Sequence, residues 1–321
     1  MTFEDLPTTP RSEELLDKAF SRASRTGRAK APYEAQEAML RTAANILSDN
    51  LENVVTAWPD FDYVDPFYYE LADAIVDVDR LRQALSEVTW ASRQIGELRS
   101  EYTTKIRNSD TDTARKHRKQ AFARIADIMD EIEDDLLFVG EARDQLKTLP
   151  DIRPDEPAIV VAGYPNVGKS SFVNHVTNAR NEIRSYPFTT KAVQVGHFEY
   201  DRVRHQIVDT PGLLDRPEAE RNGIEKQAVS ALEHLADAVL FVVDASGECG
   251  YPLESQLELR DEVLERFDVP VLTVCNKSDR SRDVEADLYM SVTEDENVDA
   301  VLKQVVEAID WEPDIPASRR E

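Results

Sequence analysis

The 321-residue sequence predicts an α-helical bundle N-terminal domain followed by an α/β domain with a doubly wound, mostly parallel sheet. Three observations carry that prediction. Through the first half glycine is scarce and apolar residues recur at helical spacing. After residue 157 short apolar runs alternate with helical stretches, the pattern of strands covered on both faces. Where the first such run meets a helix stands Gly163-Tyr164-Pro165-Asn166-Val167-Gly168-Lys169-Ser170, the spacing of a phosphate loop. The expected division is a bundle over 1–150, a linker over 151–156, the α/β domain over 157–310 and a disordered tail over 311–321.

In the first part, Leu81, Ala84, Val88, Ala91, Ile95, Leu98 and Tyr102 form one stripe of a long amphipathic helix between Val78 and Ile106. Ala121, Ile125, Ile128, Ile132, Leu136 and Val139 make a second stripe between Arg115 and Lys147. Met39, Ala43, Ile46, Leu47, Leu51 and Val54 make a third. Helices with one apolar face must bury those faces together, so these residues are read as core. Asp65-Pro66 reads as an N-cap followed by proline at the first helical position, opening a short aromatic helix with Phe67, Tyr68, Tyr69 and Leu71; Trp58 to Asp62 before it reads as a loop. Two prolines, Pro150 and Pro154, mark the linker.

Charge and cysteine content bound the setting. The formal net charge is −25, with 27 Arg against 11 Lys. That acidic, Lys-poor balance fits a protein of a salt-accumulating, halophilic cell, or simply an acidic cytosolic protein. Cys249 and Cys275, the only two cysteines, are too few for a disulfide framework or a metal cage. No apolar run approaches membrane-spanning length, and the Met1-Thr2-Phe3-Glu4-Asp5 start lacks a signal-peptide pattern, so a cytoplasmic location is expected. Residues 1–150 hold 20 basic and 29 acidic residues, the remainder 18 and 34. Within the first part, Arg22, Arg25, Arg28 and Lys30 form one basic cluster, and Arg115, Lys116, His117, Arg118 and Lys119 another. Such clusters suit RNA phosphates or, equally, a solvated helix face with intramolecular pairing.

Strands are expected at Ala158–Ala162, Val193–Tyr200, Arg204–Val208, Val239–Asp244, Val269–Cys275 and Leu288–Ser291, with helices near 224–236, 253–267 and 297–309. Gly163 and Gly168 permit backbone that lets the N–H groups of Asn166, Val167, Gly168, Lys169, Ser170 and Ser171 converge on phosphate oxygens. Lys169 adds a point charge, Ser170 is placed to ligate Mg²⁺, and Ser171 begins a helix whose N-terminus favours an anion. Asp209-Thr210-Pro211-Gly212 follows a strand: Asp209 would hold Mg²⁺ and the Gly212 N–H would meet a γ-phosphate. In Tyr186-Pro187-Phe188-Thr189-Thr190-Lys191 one threonine hydroxyl completes the metal shell, Thr190 being favoured over Thr189. Asn276-Lys277-Ser278-Asp279 also leaves a strand. There Asp279 would accept from guanine N1–H and the exocyclic amine, Lys277 would lie along the base, and Asn276 would tie this loop to the phosphate loop. An adenine would leave that carboxylate unpaired, which argues against a metabolic ATPase or kinase. Ser291 and Val292 would touch the base through a backbone N–H. These motifs in this order specify a P-loop GTPase domain.

The longer strings resemble the nucleolar GTP-binding protein 1 family, relatives of the Obg GTPases that act in assembly of the large ribosomal subunit. The resemblance rests on Gly-Tyr-Pro-Asn-Val-Gly-Lys-Ser-Ser-Phe from Gly163, Ser-Tyr-Pro-Phe-Thr-Thr-Lys from Ser185, Asp-Thr-Pro-Gly-Leu-Leu-Asp from Asp209 and Arg-Asn-Gly-Ile-Glu-Lys-Gln from Arg221. Pro59-Asp60-Phe61 and Asp65-Pro66-Phe67-Tyr68 extend it into the helical part. It implies a helical domain that docks on precursor ribosomal RNA beside a GTPase domain. The expected cofactors are GTP, GDP and Mg²⁺; no DNA or membrane partner is expected, and the oligomeric state is open, with a monomer favoured. Eukaryotic members continue into a long C-terminal extension, whereas this sequence is expected to be a short form ending at Glu321. Leu213 stands where many GTPases place a water-orienting glutamine, so intrinsic turnover should be slow. The catalytic assignments are then Lys169, Thr190, Gly212 and Asn166, the last through K⁺ held near the phosphates as in similar GTPases with Pro-Asn in this loop. The competing reading is a GTP-regulated protein-interaction switch without an RNA role.

Overall fold

A computed structural model describes residues 3–147, 149, 152–153, 156–177, 182–184 and 193–309. The chain divides into two compact units, Met1–Tyr63 with Val76–Lys147, and Val64–Ile75 with Thr148–Glu321. In the first unit α1 (Ser12–Arg28), α2 (Pro32–Thr56), α4 (Val78–Arg107), α5 (Thr111–Glu131) and α6 (Glu133–Leu146) form the bundle; the intervening α3 (Pro66–Ile75) belongs to the second unit.

The bundle packs as its stripes require. Leu81, Ala84, Val88, Ala91 and Ile95 of α4 are buried, as are Ala43, Leu47 and Leu51 of α2. Small residues on both helices let the backbones approach, and Ser48 and Ser92 each donate to the other's carbonyl at 3.3 and 3.2 Å. Asp77 caps α4 by accepting from Arg80 N at 2.8 Å, and Asp110 caps α5 by accepting from Asp112 and Thr113 N. Two features differ from the sequence pattern. The 115–147 stripe is interrupted at Ile132, whose turn separates α5 from α6 and shifts burial from Ile128 to Met129. Helix α1 buries Ser12, Leu15, Ala19 and Ala23, so only one large residue marks its stripe.

Helix α3 starts as expected, with Asp65 Oδ1 accepting from Phe67 N at 2.9 Å and Pro66 in first position. Its membership departs from the 1–150 division that chain order suggests. Phe67, Tyr68, Leu71 and Ala72 are buried because α3 packs along α8 (Gly223–Leu235), the helix that follows the Asp-Thr-Pro-Gly segment. Tyr68 donates its hydroxyl to Ile152 O, and Gln227 Nε2 donates to Asp73 Oδ2 at 2.9 Å.

The second unit is a seven-stranded sheet: β1 (Ala158–Ala162), β2 (Glu182–Arg184), β3 (Val193–Tyr200), β4 (Val203–Asp209), β5 (Ala238–Asp244), β6 (Val271–Asn276) and β7 (Leu288–Tyr289). The order is β2-β3-β4-β1-β5-β6-β7, antiparallel between β2, β3 and β4 and parallel elsewhere. Helices α7 (Lys169–Val176), α9 (Leu253–Arg266) and α10 (Val298–Glu307) pack on it, while α8 packs on α3. The β3–β4 turn expected at Asp201 uses positive φ at Asp201 and Arg202, the geometry of a two-residue hairpin. Register sets Val161 beside Asp209 and Asp244 beside Asn276, so the chemically active strand ends share one edge. The 311–321 tail lies outside the described residues.

His205 on β4 is buried, with Nδ1 3.0 Å from Val203 O and its ring stacked on Phe198. Burial pushes its imidazole below the ordinary value of 6.5. The unfolded chain therefore takes up a proton that the folded chain refuses. This share of stability is present above the ordinary value and is lost as pH falls through the lowered folded one. Asp237, pushed up by burial, works in the opposite sense. The stability of His205→Phe, followed by thermal denaturation between about pH 7.5 and pH 5.5 around the imidazole range, should fall less on acidification than that of the wild type. Parallel curves would refute the assignment.

Candidate nucleotide-binding site

The loop after β1 is shaped by two glycines whose neighbours leave no room for a side chain. Gly163 has φ +130 and a Cβ there would strike Val242 O; Gly168 has φ +107 and a Cβ would strike Asn276 Nδ2. Asn166 also adopts positive φ, which asparagine tolerates better than most residues. Gly168 is the N-cap of α7 without a side-chain cap, so first-turn N–H groups face outward as anion donors. Lys169, only 6 % exposed, folds back so that Nζ donates to Gly163 O at 2.6 Å and Tyr164 O at 2.9 Å.

Asp209 at the end of β4 is fully buried. Ser170 Oγ donates to its Oδ2, while Oδ1 has no partner among the described residues. Burial pushes this carboxyl up, with nearby Asp215 adding to the effect and Ser170 and Lys169 opposing it. A hydroxyl beside a half-satisfied buried carboxylate is a donor set that fits Mg²⁺, a hard ion that keeps waters and phosphate oxygens in its shell. Among the described residues no group of three or more His, Cys, Asp or Glu side chains is arranged to hold a metal. The loop from Ser185 to Lys191, with Thr189 and Thr190, lies outside the described residues, as does the choice between those threonines.

At the other end Asn276, 4 % exposed, donates from Nδ2 to Val167 O at 2.8 Å and accepts at Oδ1 from Val292 N at 3.2 Å. The N–H of Val292 is thus engaged, and that of Ser291 donates to Glu296 O at 3.0 Å. Both N–H groups that the sequence assigns to the base therefore have internal acceptors. The Ser291 hydroxyl, together with Arg280 Nε at 3.3 Å from Asp279 Oδ2, holds the Asp279 carboxyl below its ordinary range. Lys277 donates from Nζ to Asp244 Oδ2 at 2.7 Å, leaving its methylene stem as the part able to lie along a ring.

Asp244 is a partner that sequence reading missed, and its only signal was a carboxylate ending an apolar strand. Burial opposes its ionisation, but Lys277 and Ser246 hold the carboxyl low, and Cys249 N also donates to it. The segment after Gly212 was also underread. Leu213 and Leu214 are buried, and Leu214 O accepts from Gly163 N at 2.9 Å. Asn222 and Glu225 form the capping box of α8, and Glu225 holds Arg216 Nη2 at 2.6 Å, which gives the Arg221-Asn222-Gly223-Ile224-Glu225 string a structural purpose.

Residues 3–153 match the NOG1 N-terminal helical domain, and residues 223–279 match the nucleolar GTP-binding protein 1 (NOG1) family. Nucleolar GTP-binding protein 1 of Drosophila melanogaster is 35% identical over 266 residues, covering 81% of this chain and 41% of that one. The chain belongs to the nucleolar GTP-binding protein 1 family. The Saccharomyces cerevisiae member is 30% identical over 300 residues, 89% of this chain and 46% of its own, so the chain spans under half the length of these named relatives. Uncharacterized protein MJ1408 of Methanocaldococcus jannaschii is 39% identical over 287 residues, with 86% of this chain and 81% of that one covered. A crystal structure of nucleolar GTP-binding protein 1 from Plasmodium falciparum covers 50% of this chain and 89% of that one, at 31% identity and a TM-score of 0.45.

Because Gly168 combines positive φ with a blocked Cβ direction, Gly168→Ala should destabilise the nucleotide-free protein by about 1–3 kcal/mol. Gly223→Ala, with no heavy atom within 4 Å of its Cβ position, should be neutral or stabilising. Equal melting temperatures for the two variants would contradict this account of the loop.

Proposed function

We propose that the chain binds guanine nucleotide, hydrolyses GTP to GDP and phosphate, and acts as a conformational switch in assembly of the large ribosomal subunit. The observation that carries the nucleotide reading is the Asn276 side chain, which joins the phosphate loop at Val167 to the Asn276–Asp279 loop and Val292. A phosphate cradle and an exposed-side carboxylate at Asp279 thereby become two ends of one site. Asp279 suits guanine because an anionic acceptor matches N1–H and the 2-amino group together.

On this reading Lys169 exchanges two neutral carbonyls for phosphate oxygens, a change to stronger charge-assisted hydrogen bonds. Ser170 and Asp209 hold Mg²⁺, with Thr190 as the third protein ligand; the ion, when bound, neutralises charge on the β- and γ-phosphates. Leu213 is buried and apolar and orients no water, so turnover is slow until another group supplies positioning. Asn166 is assigned to K⁺, which predicts faster hydrolysis in K⁺ than in Na⁺ at equal ionic strength.

The ribosomal part draws on what the relatives' family does and on basic groups of the helical unit. Arg115, Lys116 and Lys119 are exposed, whereas His117 and Arg118 turn inward: Arg118 Nε donates to Gln36 Oε1 at 2.9 Å with its guanidinium over Phe122. Arg22 and Arg25 line a cavity of about 510 Å³ with Thr26, Thr42, Asn45 and Ile46. These five cations, with the equally exposed Arg28 and Lys30 and without the inward His117 and Arg118, are the candidates for RNA phosphates.

Asp279→Asn should weaken GTP about a hundredfold, leave ATP unimproved and favour xanthosine triphosphate, whose 2-oxo group accepts where guanine donates. Competition calorimetry reads all three, and undiminished GTP binding would remove the base assignment. Replacing Arg22, Arg25, Arg115, Lys116 and Lys119 by glutamine should abolish co-sedimentation with large-subunit precursors while sparing nucleotide binding. Retained co-sedimentation would favour a protein partner over RNA.

A further inference from the structure

The Gly212 N–H, the group the sequence assigns to a γ-phosphate, already has an acceptor. It donates to Asp215 Oδ2 at 2.9 Å, and Asp215 is only 5 % exposed. The carbonyl of the same residue is engaged as well, since Arg216 Nη2 lies 3.2 Å from Gly212 O while also reaching Glu225 Oε1 at 2.6 Å. Consecutive side chains therefore close on both polar groups of one glycine. Arg216 is fixed in turn, its carbonyl accepting from Arg221 Nη2 at 2.7 Å. Gly212 has φ +87 with open space around its Cβ position, so what glycine supplies there is backbone freedom and not room.

Asp215 also faces the same space as the phosphate loop. A cavity of about 430 Å³ is lined by Tyr164 and Pro165 from that loop and by Gly212, Asp215, Arg216, Glu220, Tyr251 and Ser255; of its two carboxylates only that of Asp215 accepts from Gly212 N. A carboxylate and a terminal phosphate are both anions and both acceptors; one N–H cannot serve both, and crowding like charges is unfavourable. A diphosphate makes no claim on this N–H.

We infer that Asp215 sets the preference between nucleoside di- and triphosphate, its carboxylate occupying the γ-phosphate's hydrogen bond at Gly212 until a triphosphate displaces it. The inference rests on the guanine-nucleotide reading above. Its consequence is that GTP works against an internal competitor that GDP does not meet. Displacing Asp215 also loosens the clamp that runs from Gly212 through Arg216 to Glu225 at the start of α8.

The test compares the full chain with Asp215→Ala and Asp215→Asn, measuring GDP and a non-hydrolysable GTP analogue by calorimetry in Mg²⁺. GDP affinity should stay within about twofold, while the analogue should bind about tenfold tighter to Asp215→Ala, the competing charge-assisted bond being gone. Asp215→Asn should fall between, because its amide oxygen still accepts from Gly212 but carries no charge. An unchanged ratio of analogue to GDP affinity in Asp215→Asn, or a ratio shifted toward GDP, overturns the inference. Should Asp215→Ala melt early, the near-isosteric Asp215→Asn decides alone. Failure of the underlying reading looks different: the wild-type protein itself would then bind neither nucleotide.

Discussion

One buried carboxamide organises the α/β unit. Asn276 leaves the end of β6 and spends its amide on Val167 O of the phosphate loop and its oxygen on Val292 N of the loop after β7. The closeness of that amide is also why position 168 must lack a Cβ. Burying a polar side chain is favourable only when its hydrogen bonds are made. This one makes bonds to two separate segments, so the distance between the phosphate cradle and Asp279 is fixed before any ligand arrives. Preorganisation of that kind reduces what binding must spend on ordering.

The Arg-rich composition acquires a structural meaning from the same chemistry. Arg216 holds both a carboxylate and a backbone carbonyl, and Arg107 clips α4 to α2 through paired contacts with Glu37 at 3.0 and 2.6 Å. Arg80 joins Asp135 at 2.7 Å while lying over Phe138. Each use needs a planar fork with several donors, or a flat cation against a ring, which an ammonium does not provide. The preference for Arg is thus expressed in packing and orientation as well as in overall charge.

How much of this could be read from the chain depends on how local the signal is. The α4 stripe, the Asp65-Pro66 helix start, the Asp201 turn and the phosphate-loop glycines all report on residues near in sequence, and the structure places them as elements of the expected kind. Helix α1 escaped because Ser12, Ala19 and Ala23 leave little apolar contrast, and the break at Ile132 escaped because the stripe resumes after it. Asp215, Arg216 and Asp244 were invisible for a different reason: an acidic or basic residue past a strand looks like any solvated turn until its donors and acceptors are brought together. The internal acceptors of the base-loop N–H groups, Glu296 and the Asn276 side chain, escaped because tertiary geometry supplies them.

Helix α3 illustrates the same limit and carries a practical corollary. It is encoded among the helices of the first unit, yet its aromatic face is covered by α8 of the second. No single scission of the polypeptide yields both units whole. A fragment ending at residue 147 would carry Phe67, Tyr68 and Leu71 without their cover, and one starting at 148 would leave α8 stripped. During synthesis α3 emerges long before α8 exists, so an apolar surface stays exposed until translation has passed the Asp-Thr-Pro-Gly segment, a window in which chaperone capture or premature aggregation competes with folding.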